Sequence, residues 1–152
     1  MIACTSWIGV PTIALAPTAV LVRQWKTTYN LGKAAAPPFA LTCAACFGFL
    51  AYSARSTPTS GSSLVSPYAL YVAATLATPA VVPYTLLIME PAANRKLMAM
   101  ANAVEAGTTK NHLAINEARV VAWLRKWKSM NYVRAGLVGT GALLGAVASI
   151  VA

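Results

Sequence analysis

The chain has 152 residues, of which 58% are hydrophobic and only 10% are charged, whereas a soluble domain usually carries about 25% charged residues. Three glutamates and no aspartates are too few carboxylates for a paired-carboxylate hydrolase or an all-oxygen metal cage. A single histidine, His112, excludes a metal site built from several histidines. Because twelve lysines and arginines give a net charge of +9, the composition indicates one small, basic, integral membrane domain covering residues 1–152.

Four apolar stretches approach or exceed the roughly 20 residues that a membrane-spanning helix needs. They cover about residues 2–22, 34–52, 65–89 and 130–151. The basic residues Arg23 and Lys26 follow the first stretch rather than precede it, so we expect a retained helix and not a signal peptide. The sequence therefore predicts an all-α protein, a four-helix transmembrane bundle.

The second stretch contains a C-x-x-C pair, Cys43 and Cys46. A membrane thiol oxidoreductase would need such a pair to be accessible and activated. Here the pair lies inside an apolar span and has no second pair as electron donor, so packing is the favoured interpretation. Small residues at four-residue spacing, such as Gly141 and Gly145, predict close helix packing in lipid, within the chain or in a homo-oligomer.

The third stretch contains Pro79 and Pro83, which remove helical hydrogen bonds and clash with preceding carbonyls. Carbonyls freed inside a membrane need new partners. The prolines therefore predict either a simple kink or a local widening that admits a ligand, and the sequence alone leaves both open.

Residues 91–129 form a long polar connection between the third and fourth spans. We expect a helix from Ala92 to about Val104, a break, and a second helix from about Asn111 that runs into the last span. This connection is thus an amphipathic cytoplasmic helical insertion between helices 3 and 4. One face of the second helix is a polar and aromatic stripe at helical spacing, made of His112, Asn116, Arg119, Trp123, Trp127, Asn131 and Arg134. An interfacial tryptophan belt with a snorkelling arginine is the alternative interpretation.

Charge placement predicts the orientation in the membrane. Ten of the twelve basic residues lie between spans 1 and 2 or between spans 3 and 4, and one, Arg55, lies between spans 2 and 3. Because basic loops favour the cytoplasmic side, we expect both termini to be lumenal, with the endoplasmic reticulum as the membrane. The positive charge is then explained by its effect on membrane orientation and by attraction to anionic lipid headgroups. A nucleic-acid partner is not expected, because the charges flank apolar spans.

Three segments together resemble the anthrone oxygenase-like membrane family of fungi and bacteria. The first is Arg23–Gly32 followed by Ala36–Pro38, and the second is the run Pro83–Leu97. The third is the W-x-x-x-N-x-x-R pattern of Trp127, Asn131 and Arg134. In one departure from the family, which usually has Pro-Thr-Asn, two alanines separate Pro91 from Asn94.

The resemblance implies oxidation of a small aromatic polyketide, an anthrone, to its anthraquinone by O₂, without a metal, flavin or haem. No nucleotide-binding loop or ligand cluster in the sequence suggests a cofactor. The implied catalytic residues that stabilise the anion are Arg134, Asn131 and Asn94. His112 is added as a candidate proton acceptor because of its intrinsic acidity, with a surface histidine as the alternative interpretation. The implied substrate-binding residues are aromatic, and they are Trp25, Tyr29, Tyr84 and Trp127.

The general base is left open at this stage. His112 has a suitable intrinsic acidity, but along a continuous helix it lies far from Asn131. Tyr29, Tyr84 or a bound water are the other candidates. Two further functions also remain: a cofactor-free membrane cyclase, dehydratase or isomerase of polyketide or terpenoid biosynthesis, and a non-catalytic membrane scaffold for biosynthetic enzymes.

Overall fold

The computed structural model describes residues 2–56, 66–107 and 116–152. These ranges contain four helical stretches and no strand: α1 (Ile2–Ile13), α2 (Thr18–Ala54), α3 (Pro67–Glu105) and α4 (Glu117–Val151). Helices α2, α3 and α4 are long and apolar enough to cross a membrane. The predicted all-α membrane bundle is therefore confirmed, although α1 is only about 18 Å long at 1.5 Å per residue, less than the roughly 30 Å hydrocarbon core.

The first predicted span, 2–22, is not one helix. α1 consists of α-helical Ile2–Cys4, π-helical Thr5–Gly9 and α-helical Val10–Ile13, after which the chain turns. The physical reason is Pro17, which has no backbone N–H and is tolerated just before or at a helix start but not inside one. Its carbonyl accepts the N–H of Val20 at 2.8 Å and of Leu21 at 2.9 Å, so α2 begins there.

The second predicted span, 34–52, is part of a much longer helix. α2 runs without interruption from Thr18 to Ala54 and includes the basic segment that we expected to be a connection. Leu21, Val22 and Trp25 are fully buried, which is the i, i+1, i+4 spacing of one helix face. Burial of this face against α3 and α4 explains why the helix extends past the apolar stretch.

The third span and the first half of the predicted connection form one irregular helix. α3 contains α-helical Pro67–Ala77, a turn at residues 78–80, α-helical Val81–Tyr84, π-helical Thr85–Asn94 and α-helical Arg95–Glu105. Pro79 therefore coincides with a turn, and Pro91 lies inside the π-helix. π-helical segments are rare and are frequently found at functional sites.

The last helix is continuous over its described length, which begins at Glu117, and the predicted start at about Asn111 lies outside the described residues. The side chain of Asn116 accepts the N–H of Arg119 at 3.0 Å, which caps the helix start. Glu117 in the first turn complements the helix dipole. From there α4 runs to Val151 without a break.

The chain divides into two compact units. Unit 1 is Met1–Ala34 with Tyr84–Ala135, and unit 2 is Ala35–Pro83 with Gly136–Ala152. Every Lys, Arg and Glu of the sequence except Arg55 falls in unit 1. The core of unit 1 is large and contains Trp25, Met89 and Leu97 with no exposed surface. That the whole chain acts as a single membrane domain stays a prediction.

Unit 2 is built by close helix packing. The hydroxyl of Tyr71 lies 2.9 Å from that of Ser149, and Gly141 and Gly145 lie against Thr78 and Phe47 with no room for a side chain. Small residues therefore allow the close approach that the sequence predicts. The thiols of its two cysteines are free and exposed.

Candidate active site

Three long helices bring most of the predicted site residues into unit 1. α2 contributes Trp25 and Tyr29 near its start, and α4 contributes Trp127, Asn131 and Arg134 in its first half. Asn94 and Tyr84 come from the irregular middle of α3. His112 lies outside the described residues, so its role as a base stays a prediction.

Aromatic side chains form one wall of this cluster. The rings of Trp25 and Tyr29 are stacked, with centroids 5.2 Å apart and an angle of 13° between the planes. Trp127 meets Trp25 edge-on, with centroids 6.0 Å apart. Trp25 is fully buried and Trp127 is 3% exposed, so both are core residues of unit 1. Tyr84 packs against the same core.

Asn131 and Arg134 form a buried polar network with α1. The Nη1 of Arg134 donates to Oδ1 of Asn131 at 3.1 Å. The Nδ2 of Asn131, which is 2% exposed, donates to Oγ of Ser6 at 2.8 Å and to the carbonyl of Ile2 at 3.2 Å. The amide of Asn131 is thus fully used in holding the guanidinium and α1 in place. Ser6, which is fully buried, was not predicted from the sequence.

Arg134 has no acidic partner among the residues that the structure describes, where the one ion pair joins Lys26 to Glu105 at 2.6 Å. The guanidinium is close enough to Tyr29 and Tyr84 to interact with both electrostatically. Its Nε is buried without a hydrogen-bond partner. A half-buried cation with spare donors and no counter-ion is suited to an anionic ligand.

Glu90 is the second side chain of the cluster that was not predicted from the sequence. Its Oε2 accepts a hydrogen bond from the hydroxyl of Tyr29 at 3.1 Å and another from Nδ2 of Asn94 at 3.0 Å. Asn94 is 1% exposed. The one local signal was the spacing of Glu90 and Asn94, four residues apart near the end of an apolar run. The contact with Tyr29 joins residues 61 positions apart and could not be read from the sequence.

Unsatisfied polar atoms concentrate in this cluster. Among the described residues, four buried side-chain atoms have no hydrogen-bond partner, and they are Trp25 Nε1, Trp127 Nε1, Asn94 Oδ1 and Arg134 Nε. Buried polar groups in folded proteins are nearly always paired, so four orphans around one cluster indicate a place for a polar ligand or water. The described residues contain no group of three His, Cys, Asp or Glu side chains that could hold a metal ion.

A hydrogen-bonded lysine fixes the neighbouring ends of α2 and α3. Lys26 Nζ donates to Glu105 Oε2 and to Asn102 Oδ1 at 2.8 Å, and Arg23 donates to the carbonyl of Val104 at 3.2 Å. These groups are exposed, so their ion pair contributes at most about 1 kcal/mol. Glu105, which is on the same helix as Glu90 and takes part in this ion pair, supplies a matched control position.

The fold and the site define a helical membrane protein with a buried aromatic cluster, an unpaired cation and a hydrogen-bonded carboxylate. Residues 25–144 match the family model described as anthrone oxygenase. The match covers more than half of the chain, so the chain belongs to the anthrone oxygenase family.

Two curated relatives agree with this assignment. The chain is 29% identical over 141 residues to anthrone oxygenase encC of Aspergillus fumigatus, covering 90% of this chain and 73% of the relative. It is 32% identical over 125 residues to anthrone oxygenase nsrD of Aspergillus novofumigatus, covering 82% of this chain and 68% of the relative. No solved structure matches the chain. The family resemblance predicted from the sequence is confirmed, and the matched region contains every predicted site residue.

Proposed function

We propose that the protein oxidises a polyketide anthrone to the corresponding anthraquinone with O₂, without a metal or flavin. The observation that carries the proposal is the unpaired Arg134 beside a buried aromatic wall, in a chain that belongs to the anthrone oxygenase family. A flat, largely apolar substrate with one oxygen that becomes anionic during the reaction fits such a site.

The chemistry needs no redox group on the protein. Removal of a proton from the methylene of an anthrone leaves an electron-rich anion whose negative charge rests largely on the oxygen of the former carbonyl. The anion gives electrons to O₂ and forms a bond between the methylene carbon and oxygen. Loss of water from the resulting hydroperoxide yields the second carbonyl, so one anthrone and one O₂ give one anthraquinone and one water.

Arg134 is the residue that we assign to the developing anion. A preorganised donor that points at the oxygen where charge develops stabilises the transition state more than the ground state. Asn131 holds the guanidinium through its Oδ1 and is a positioning residue. Tyr29 and Tyr84, which are only partly buried, provide flat surfaces for the rings of the substrate, and Trp25 and Trp127 support them from the core of unit 1.

The experiment compares purified protein in lipid nanodiscs with heat-denatured protein, because anthrones oxidise slowly without an enzyme. Turnover is measured as anthraquinone absorbance and as O₂ uptake, under air and under nitrogen, with and without a metal chelator. We expect one O₂ consumed per anthraquinone, no conversion under nitrogen and no effect of the chelator. Conversion of the anthrone without O₂ uptake would favour a cyclase, dehydratase or isomerase, and no turnover above background would refute the proposal.

We also propose that the basic ends of the helices face the cytoplasm in the membrane of the endoplasmic reticulum. The support is that eleven of the twelve basic residues fall in unit 1, and basic segments favour the cytoplasmic side and anionic lipid. A reporter inserted after Lys128 should be cytosolic, and one inserted at Ser60 should be lumenal. The opposite labelling would refute this orientation.

A further inference from the structure

We propose that Glu90 is the general base that removes the methylene proton of the substrate, and that Tyr29 and Asn94 position its carboxylate. The inference rests on the proposed function, because it names the residue that starts the same reaction. It answers the question that the sequence left open between His112, the tyrosines and water.

Elimination among the carboxylates supports Glu90. The chain has three glutamates. Glu105 is paired with Lys26 in an exposed ion pair, and Glu117 is exposed in the first turn of α4, where it complements the helix dipole. Glu90 alone lies in the aromatic and polar cluster, part-buried, with no Lys or Arg within salt-bridge distance among the described residues.

The hydrogen bonds of Glu90 are those of a positioned base. Both reach the same oxygen, Oε2, from Tyr29 and from Asn94. In the part of the chain that the structure describes, no donor is bonded to Oε1, so that oxygen is available to accept a proton. The arrangement also removes Tyr29 as a base, since its hydroxyl proton is donated to the carboxylate.

The two charged groups of the cluster are not paired with each other. Arg134 and Glu90 both interact with Tyr29, but they form no ion pair with each other. In an anthrone the carbonyl oxygen and the methylene lie at opposite ends of the central ring. A cation for the oxygen and a base for the methylene must therefore flank the substrate without neutralising each other. Two of the buried atoms without a hydrogen-bond partner belong to these two sides of the site. One is Nε of Arg134 itself, and the other is Oδ1 of Asn94, whose Nδ2 is bonded to Glu90.

The proposed step is balanced. Glu90 Oε1 takes the methylene proton, the C–H electron pair enters the ring system, and negative charge develops on the carbonyl oxygen beside Arg134. O₂, the co-substrate of the proposed function, accepts electrons from this anion and bonds to the carbon. The proton held by Glu90 can then pass to the peroxide, and the second C–H proton leaves as the O–O bond breaks with release of water.

The test variant is Glu90→Gln, which keeps the size and the hydrogen-bond acceptor for Tyr29 but cannot take a proton. General base catalysis is typically worth about 10²–10⁴ in rate, so we expect kcat to fall by that factor with a small change in KM. The matched control is Glu105→Gln on the same helix, which should keep wild-type turnover. Glu90→Asp should retain part of the activity, because it keeps a base at a longer distance.

A second readout separates proton transfer from a structural role. In a series of anthrones with increasingly acidic methylenes, the ratio of wild-type kcat to Glu90→Gln kcat should decrease. Deuteration of the methylene should lower the kcat of the variant. A loss that is uniform across the series, without an isotope effect, would assign Glu90 a structural role and overturn the inference. Wild-type turnover in Glu90→Gln would also overturn it. Absence of turnover in the wild-type protein is a different result, which refutes the proposed function itself.

Discussion

Replacement of Arg134 by leucine removes the one cation that lies inside the aromatic and polar cluster without an acidic partner among the described residues. If the guanidinium stabilises the anion of the substrate, its loss should resemble the loss of an oxyanion-hole donor. Such a loss costs about 10²–10³ in kcat, or roughly 2.7–4 kcal/mol. We therefore expect Arg134→Leu to lower kcat by about that factor.

The same substitution should leave the protein folded. It leaves Oδ1 of Asn131 buried without its donor, which costs about 1–3 kcal/mol. It also removes a partly buried charge from a membrane helix, where a charge at the centre costs about 2.5–3.5 kcal/mol. Because the two contributions oppose each other, the free energy of unfolding should change by less than about 2 kcal/mol.

The assay measures anthraquinone formation per nanodisc-inserted protein, together with thermal unfolding of each variant. Arg125→Leu is the matched control, since Arg125 lies on the same helix and is exposed. Arg134→Lys should keep only part of the activity, because an ammonium is a point charge and not a planar donor fork. Wild-type turnover in Arg134→Leu, with correct insertion, would refute the role of Arg134.

Two further substitutions test the supports of the site and the packing of unit 2. Asn131→Ala should lower kcat about tenfold with little change in KM. Because Asn131 acts through the guanidinium, the same substitution should have almost no further effect in an Arg134→Leu background. Additive losses in the double variant would contradict this role. Gly145→Ala places a methyl group against the ring of Phe47 and should lower the free energy of unfolding by about 1–3 kcal/mol. Gly136→Ala, with open space around it, is the control, and equal unfolding temperatures of the two variants would show that the close packing is unimportant.

The sequence predicted the helical membrane class and most of the cluster, because both depend on local patterns. Apolar length defines a membrane helix, and the four-residue and three-residue steps from Trp127 to Arg134 define one helix face. The same kind of spacing links Trp25 to Tyr29. Once α2 and α4 meet in unit 1, these faces have to lie close together.

The helix boundaries were less predictable, because we interpreted clusters of basic residues as the points where helices end. The segment from Arg23 to Lys33 contains three basic residues, and we therefore expected a connection there. A helix can continue past the membrane surface when another face of it is buried, and Leu21, Val22 and Trp25 supply that face. The burial of Trp25, which would have indicated this, is a property of the folded chain and cannot be read from the sequence.

Glu90 and Ser6 were missed for a physical reason that they share. Each acts through a partner far away in the sequence: 61 positions for Glu90 with Tyr29 and 125 positions for Ser6 with Asn131. Ser6 lies in an apolar helix, where a hydroxyl usually satisfies itself on the preceding turn, so nothing local distinguishes it. In a low-dielectric interior an unpaired amide is costly. The buried Asn131 therefore requires donor and acceptor partners, and α1 supplies two acceptors although its length falls short of a membrane span.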